Sequence, residues 1–241
     1  MKIIRFPSKQ LEKIYNRRFL KPRRIEERVK KIIEDVRLFG DEAVIKYTKK
    51  FDGVKLSPRQ LKVSEIEISG AYQSINPNFV STLKIIIENI NRFYRKHIRK
   101  SWKIKDNDGV ILGENYFPLE RVGIYIPAGT APLVSSVYMT VLPAKIAGVK
   151  RIVLISPPDK GGNINPHILV VANLLKVDEI YRVGGVQGIA ALAYGTKTIS
   201  RVDKIVGAGN IYVSEAKRQV FGLVDIDMIA GPTELVIIAT R

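Results

Sequence analysis

Between Arg121 and Gly231 the sequence repeats one unit: an apolar strand-like segment, a glycine-bearing turn and a helix-like segment. The key pieces are RVGIYIPAG (Arg121 to Gly129), RVGGVQGIAALAYG (Arg182 to Gly195), VDKIVGAGNIYVSEAKRQV (Val202 to Val220) and DMIAGPTELVIIA (Asp227 to Ala239). Repeated β-α units with short connections fold as a parallel sheet covered on both faces, because each crossover must travel back along the sheet before the next strand begins. They also set flexible backbone at the carboxyl ends of the strands, where open α/β sheets hold nucleotides and other anions. The predicted fold class is therefore α/β, with a Rossmann-like parallel sheet.

Strands are expected over Val122–Ile126, Arg151–Ile155, Glu179–Val183, Asp203–Val206 and Glu234–Ala239. Helices are expected over Val134–Gly148, from Asn165-Pro166 onward, over Val186–Tyr194 and over Ile211–Phe221. The chain before Arg121 has a different character. Lys2–Phe6 reads as a short strand and Pro7–Phe19 as a basic helix. Ile25, Val29, Ile32, Ile33 and Val36 share one helical face, with Gly40 as the stop, and Asp41–Phe51 follows as a second helix. Residues 54–75 follow no single period. Asn76-Pro77 opens a long helix with an apolar stripe of Phe79, Leu83, Ile86, Ile87, Ile90 and Tyr94. Trp102–Lys105 and Val110–Tyr116 flank Asp106-Asn107-Asp108-Gly109, a hairpin turn. The expected organisation is a mainly helical, incomplete region with a small antiparallel ribbon (1–123), a Rossmann-like domain (124–233) and the start of a strand returning to the first region (234–241).

The 241 residues are 46% hydrophobic, enough for a packed core, and no apolar run approaches the roughly 18 to 20 residues that span a bilayer. The first residues lack the apolar stretch and cleavage site of a secretory signal, so a soluble, cytoplasmic protein is expected. The absence of cysteine excludes disulfides, thiolate metal sites and a cysteine nucleophile. A net charge of +17 raises the prospect of a nucleic-acid partner. Basic residues cluster around Arg17–Arg24 and Arg92–Lys105, but acids are interspersed between them and no nucleic-acid-binding motif is present. A solvated basic surface is the expected reading, with no membrane partner; a basic nucleic-acid-binding protein is the alternative that the charge alone supports. His97, which extends the stripe of the long helix by one turn, reads as a partly buried helix-end histidine, and His167 as an exposed surface one.

Three glycine turns bear on chemistry. Gly184-Gly185-Val186-Gln187-Gly188 follows a strand and opens a helix, where amides unobstructed by β-carbons can approach a phosphate. It departs from the G-x-G-x-x-G fingerprint, so a ligand loop and a tight structural turn both fit it. Gly207-Ala208-Gly209-Asn210 repeats the design, with Asn210 either a ligand contact or an N-cap. On neighbouring parallel strands, the two loops would share one edge of the sheet. Tyr125 ends the first strand at the same rim, and Thr233 in Gly231-Pro232-Thr233-Glu234 can present a hydroxyl. No histidine-based proton-transfer pair, metal cluster or activated nucleophile emerges from the pattern.

RVGIYIPAGTAPLVSSVYMTVLPAKIAGVKRIVLISPP, VGGVQGIAALAYG, VDKIVGAGN, EAKRQV and AGPTELVIIA, in that order over about half the chain, resemble histidinol dehydrogenases. The resemblance implies an aldehyde dehydrogenase-like fold and a homodimer. It further implies two successive NAD-dependent steps from L-histidinol to L-histidine, the last of histidine biosynthesis, with a zinc ion holding the substrate. By the same resemblance Tyr125, Gln187 and Asn210 match cofactor-binding positions and Thr233 a substrate-binding one. Ala128 stands where the family has a glycine, and Ala208 where it has the proline of G-P-G-N. The family's glutamate-histidine pair and zinc ligands lie beyond the A-G-P-[ST]-E segment, near which this sequence stops at Arg241. The resemblance therefore implies no catalytic and no metal residue in this chain, no activity on histidinol by itself, and need of a second copy or a complementing C-terminal chain. A fragment, one part of a split enzyme, and a degenerate nucleotide-binding or interaction module all fit that pattern. Apolar surface left uncovered in the helical region is expected to be compensated by oligomerisation or by disorder.

Overall fold

The computed structural model describes residue 9, residues 23–128 and residues 132–230. The expected elements over Lys2–Phe19 and Glu234–Ala239, and Thr233 with its glycine turn, lie outside these residues.

The helical region opens with α1 (Arg23–Phe39), α2 (Asp41–Asp52), the short α3 (Pro58–Leu61) and α4 (Glu65–Ala71). The long α5 (Pro77–Tyr94) leads to an antiparallel ribbon of β1 (Trp102–Lys105) and β2 (Ile111–Glu114). The aperiodic stretch 54–75 holds α3 and α4, which are too short for a period but begin at serine capping boxes, Ser57 with Gln60 and Ser64 with Glu67. Then come β3 (Arg121–Tyr125), α6 (Val134–Ile146), β4 (Arg151–Ser156), α7 (Pro166–Leu174), β5 (Glu179–Arg182), α8 (Gly185–Tyr194), β6 (Lys204–Val206), α9 (Ile211–Val220) and the two-residue β7 (Asp225–Ile226).

The five-stranded sheet runs β5-β4-β3-β6-β7, every pairing parallel. The expected Rossmann-like sheet is thus present, with its strand order reversing between β3 and β6. One expectation is corrected: β5 and β6 are not neighbours, because β4 and β3 lie between them. The sequence order of strands does not reveal where a crossover turns back. Since all the strands are parallel, both glycine turns still emerge on the carboxyl edge.

Alternation along the strands divides the core in two. Val153 and Ile155 of β4 join Tyr125 and α1, α2, α8 and α9 in one cluster. Ile152 and Leu154 join Val122, Ile124 and α4 to α7 in the other. Helix α1 buries Val29, Ile32, Ile33 and Val36 against α8 and α9, each such side chain contributing about 1.5–3 kcal/mol. An Arg182–Glu67 ion pair at 2.7 Å ties α4 to the end of β5. The helices before Arg121 therefore pack on both faces of the sheet, and the N-terminal ones reach its carboxyl edge.

The ribbon is exposed at every position of β1 and β2. In α5 only Leu83 is fully buried, while Ile85 and Phe93 are mostly exposed. His97 is exposed rather than partly buried, since the helix gives way there to a single 3-10 turn and the ring rests on Phe93. His167 is half-buried rather than exposed, because Phe79 packs edge-on against it at 4.9 Å.

Candidate functional site

The switch point between β3 and β6 is where a doubly wound sheet opens a crevice at its carboxyl ends. The backbone is tight there: Gly207 has φ +118°, and a β-carbon on it would lie 2.2 Å from the Tyr125 carbonyl oxygen. Only glycine fits this approach. Gly207 is held from two sides, its N–H donating to Asp227 Oδ2 at 2.8 Å and its carbonyl accepting from Lys217 Nζ at 2.9 Å. Lys217 is almost wholly buried and also pairs with Asp227. A lysine buried on α9 thus fixes the turn that carries Asn210.

A cavity of about 620 Å³ lies on this edge. Tyr125, Gln187 and Asn210, three residues singled out in the sequence, all line it, together with Pro127, Ala128, Pro157 and Gly185. Tyr125 lies at the end of β3; burial first, and then the nearby Asp52 charge, push its hydroxyl up to about 12, while the Gly185 amide acts in the opposite sense. Gly184 closes against Pro157, whose Cγ would be 2.3 Å from an added β-carbon.

Gln187, in the first turn of α8, is 1% exposed, and among the described residues neither Oε1 nor Nε2 has a hydrogen-bond partner. An unpaired buried amide costs about 1–3 kcal/mol. Asn210 is the N-cap of α9, its Oδ1 accepting from the amides of Tyr212 and Val213 at 3.0 and 3.1 Å. The two readings of this residue combine: the oxygen caps the helix, and the side-chain amide NH2 remains to donate into the cavity.

The sequence reading did not place Arg28 and Ile32 of α1, Phe51 and Asp52 of α2, or Tyr212 of α9 at the site, and all of them line the cavity. Asp52 sits in the last turn of α2, where a carboxylate runs against the helix dipole. That mismatch was the one available signal. Burial pushes its carboxyl up to about 6, and its Oδ2 is buried without a partner.

The histidinol dehydrogenase family model matches residues 15–241. The chain belongs to the histidinol dehydrogenase family. It is 56% identical over 215 residues to a histidinol dehydrogenase of Listeria innocua, covering 89% of this chain and 50% of that protein. With the Carboxydothermus hydrogenoformans histidinol dehydrogenase it shares 50% identity over 239 residues, covering 99% of this chain and 56% of the relative. A crystal structure of histidinol dehydrogenase from Elizabethkingia anophelis superposes with a TM-score of 0.86 at 39% identity, covering 94% of this chain and 52% of that one. The chain thus spans about half the length of the relatives it matches.

The family implies a dinucleotide and a zinc ion. The unpaired Gln187 amide and the glycine-walled crevice fit the first. Among the described residues no group of three His, Cys, Asp or Glu side chains could hold a metal, so these residues do not fit the second.

Proposed function

We propose that this chain is the NAD-side part of a histidinol dehydrogenase, an oxidoreductase converting L-histidinol to L-histidine at the end of histidine biosynthesis. The observation that carries the reading is the buried, unpaired Gln187 amide facing the cavity at the switch point of the sheet. When bound, NAD supplies the hydride acceptor. Gln187 would give its amide hydrogen bonds to the cofactor, the Asn210 NH2 would donate from the opposite turn, and Tyr125, neutral at physiological pH, would pack and orient it. Residues 124–233 form the NAD-side unit in this reading, with Thr233 as a substrate contact. The proton-handling pair and the zinc ligands of the family enzyme are assigned to polypeptide outside this sequence, in a homodimer or supplied by a complementing chain, in the cytoplasm. No helix among the described residues is long and apolar enough to cross a membrane.

Two measurements test this. Calorimetric titration of the chain with NAD is expected to give saturable binding, and its absence would refute a nucleotide site. Mixed with histidinol and NAD, the chain alone is expected to produce no NADH; histidinol-dependent NADH formation would overturn the division of labour.

A further inference from the structure

In dinucleotide-binding α/β folds, a carboxylate about 20 residues beyond the first glycine turn, past the second strand, reads the ribose hydroxyls. Here the second strand is β4, and it runs out into Ser156-Pro157-Pro158, with no acid facing the cavity and Pro157 committed to packing on Gly184. The cavity nevertheless has a carboxylate. Among its described lining residues the one acid is Asp52, which arrives from the end of α2 on the far side of the sequence.

We propose that Asp52 is the specificity-determining residue of the cavity: it accepts hydrogen bonds from the adenosine ribose hydroxyls of a dinucleotide and rejects a dinucleotide carrying a 2′-phosphate there. The inference rests on the dinucleotide reading above. An ionised carboxylate only accepts hydrogen bonds, and the buried Oδ2 has no donor among the described residues. A vicinal diol offers two donors, whereas an ionised phosphate offers none and brings like charge. The placement adds to the rejection, because Asp52 lies at the C-terminal end of α2, where the partial negative charge of the last carbonyls disfavours an anion. Gly53, left-handed at φ 78°, leaves that end without a β-carbon in the way. Beside it Phe51, 54% exposed and stacked on Tyr47 at 5.7 Å, adds an aromatic edge to the lining of the same cavity. The cavity's cation, Arg28 on α1, is exposed at the rim, a position suited to the solvated pyrophosphate rather than to the ribose.

The test is a pair of calorimetric titrations, with NAD and with NADP, on the full chain and on Asp52→Asn. The unsubstituted chain is expected to bind NAD at least tenfold more tightly than NADP. In Asp52→Asn, NAD binding weakens about tenfold and the preference falls toward unity. An unchanged preference in a folded Asp52→Asn, checked by circular dichroism, overturns the role of Asp52 and leaves the dinucleotide site standing. Failure of the unsubstituted chain to bind NAD overturns the dinucleotide reading itself, and the role of Asp52 with it. A measurement without substitution guards against a misfolded variant: adenosine 5′-diphosphate should displace NAD at least tenfold more effectively than adenosine 2′,5′-bisphosphate. Equal displacement by the two would also overturn the assignment.

Discussion

At the scale of single residues, the site is built from polar groups that the fold leaves unsatisfied. Gln187→Leu keeps the volume and removes the unpaired amide. The ligand-free chain should gain about 1–3 kcal/mol in a thermal melt while losing about tenfold or more in NAD affinity; a destabilised variant would show that the amide is satisfied in solution. Asp52 gives a pH-dependent counterpart. Its carboxyl is raised from 3.8 to about 6, so the fold prefers the protonated form. That contribution is full below about pH 4 and is lost as the pH rises through 6. Asp52→Asn should therefore be more stable than the unsubstituted chain at pH 8, by about 1 kcal/mol after discounting its partial solvent contact, and no more stable at pH 4. Melts at both pH values check the sign. Of these residues, Gln187 was legible because a glycine turn between strand and helix marks the position. Asp52 was not: helical periodicity gives α1 and α2 their buried faces but does not say that those faces dock beside β3.

Elements, rather than residues, set the shape of the crevice. The Lys217–Asp227 pair clamps Gly207 from α9 and from the chain after β7. Lys217→Met should cost about 3 kcal/mol, the lower end for breaking a buried pair, since Asp227 keeps some contact with water. It should also weaken NAD binding through the displaced Asn210 turn. Urea titration gives the first number and calorimetry the second, and a loss of stability with undisturbed binding would detach the clamp from the site. The alternation of strands and helices was readable across the described part of the sheet, because β3, β4, β5 and β6 each carry an apolar run bounded by turn residues. Two features were hidden. β7 is too short to show a period, and the reversal at β3 is a property of crossover geometry that no local pattern records.

For the whole molecule, the apolar surface is unevenly finished. Ile104, Ile111, Leu112 and Phe117 are all more than half exposed, and they sit on or beside a two-stranded ribbon of a kind that is marginal on its own. Light scattering is expected to give a mass above the 27.1 kDa of one chain, and Ile111→Lys should shift the population toward monomer; a compact monomer before substitution would contradict this. A second consequence lies in time rather than space. Arg218 of α9 bonds to Glu26 of α1 across 192 residues of sequence. At ribosomal speeds of about 5–20 residues per second, α1 emerges on the order of ten to forty seconds before its packing surface exists. Through most of that interval Val29, Ile32, Ile33 and Val36 lack their native partners on α8 and α9, so the helix that contributes Arg28 to the crevice carries an uncovered apolar face on the nascent chain, a natural target for a chaperone.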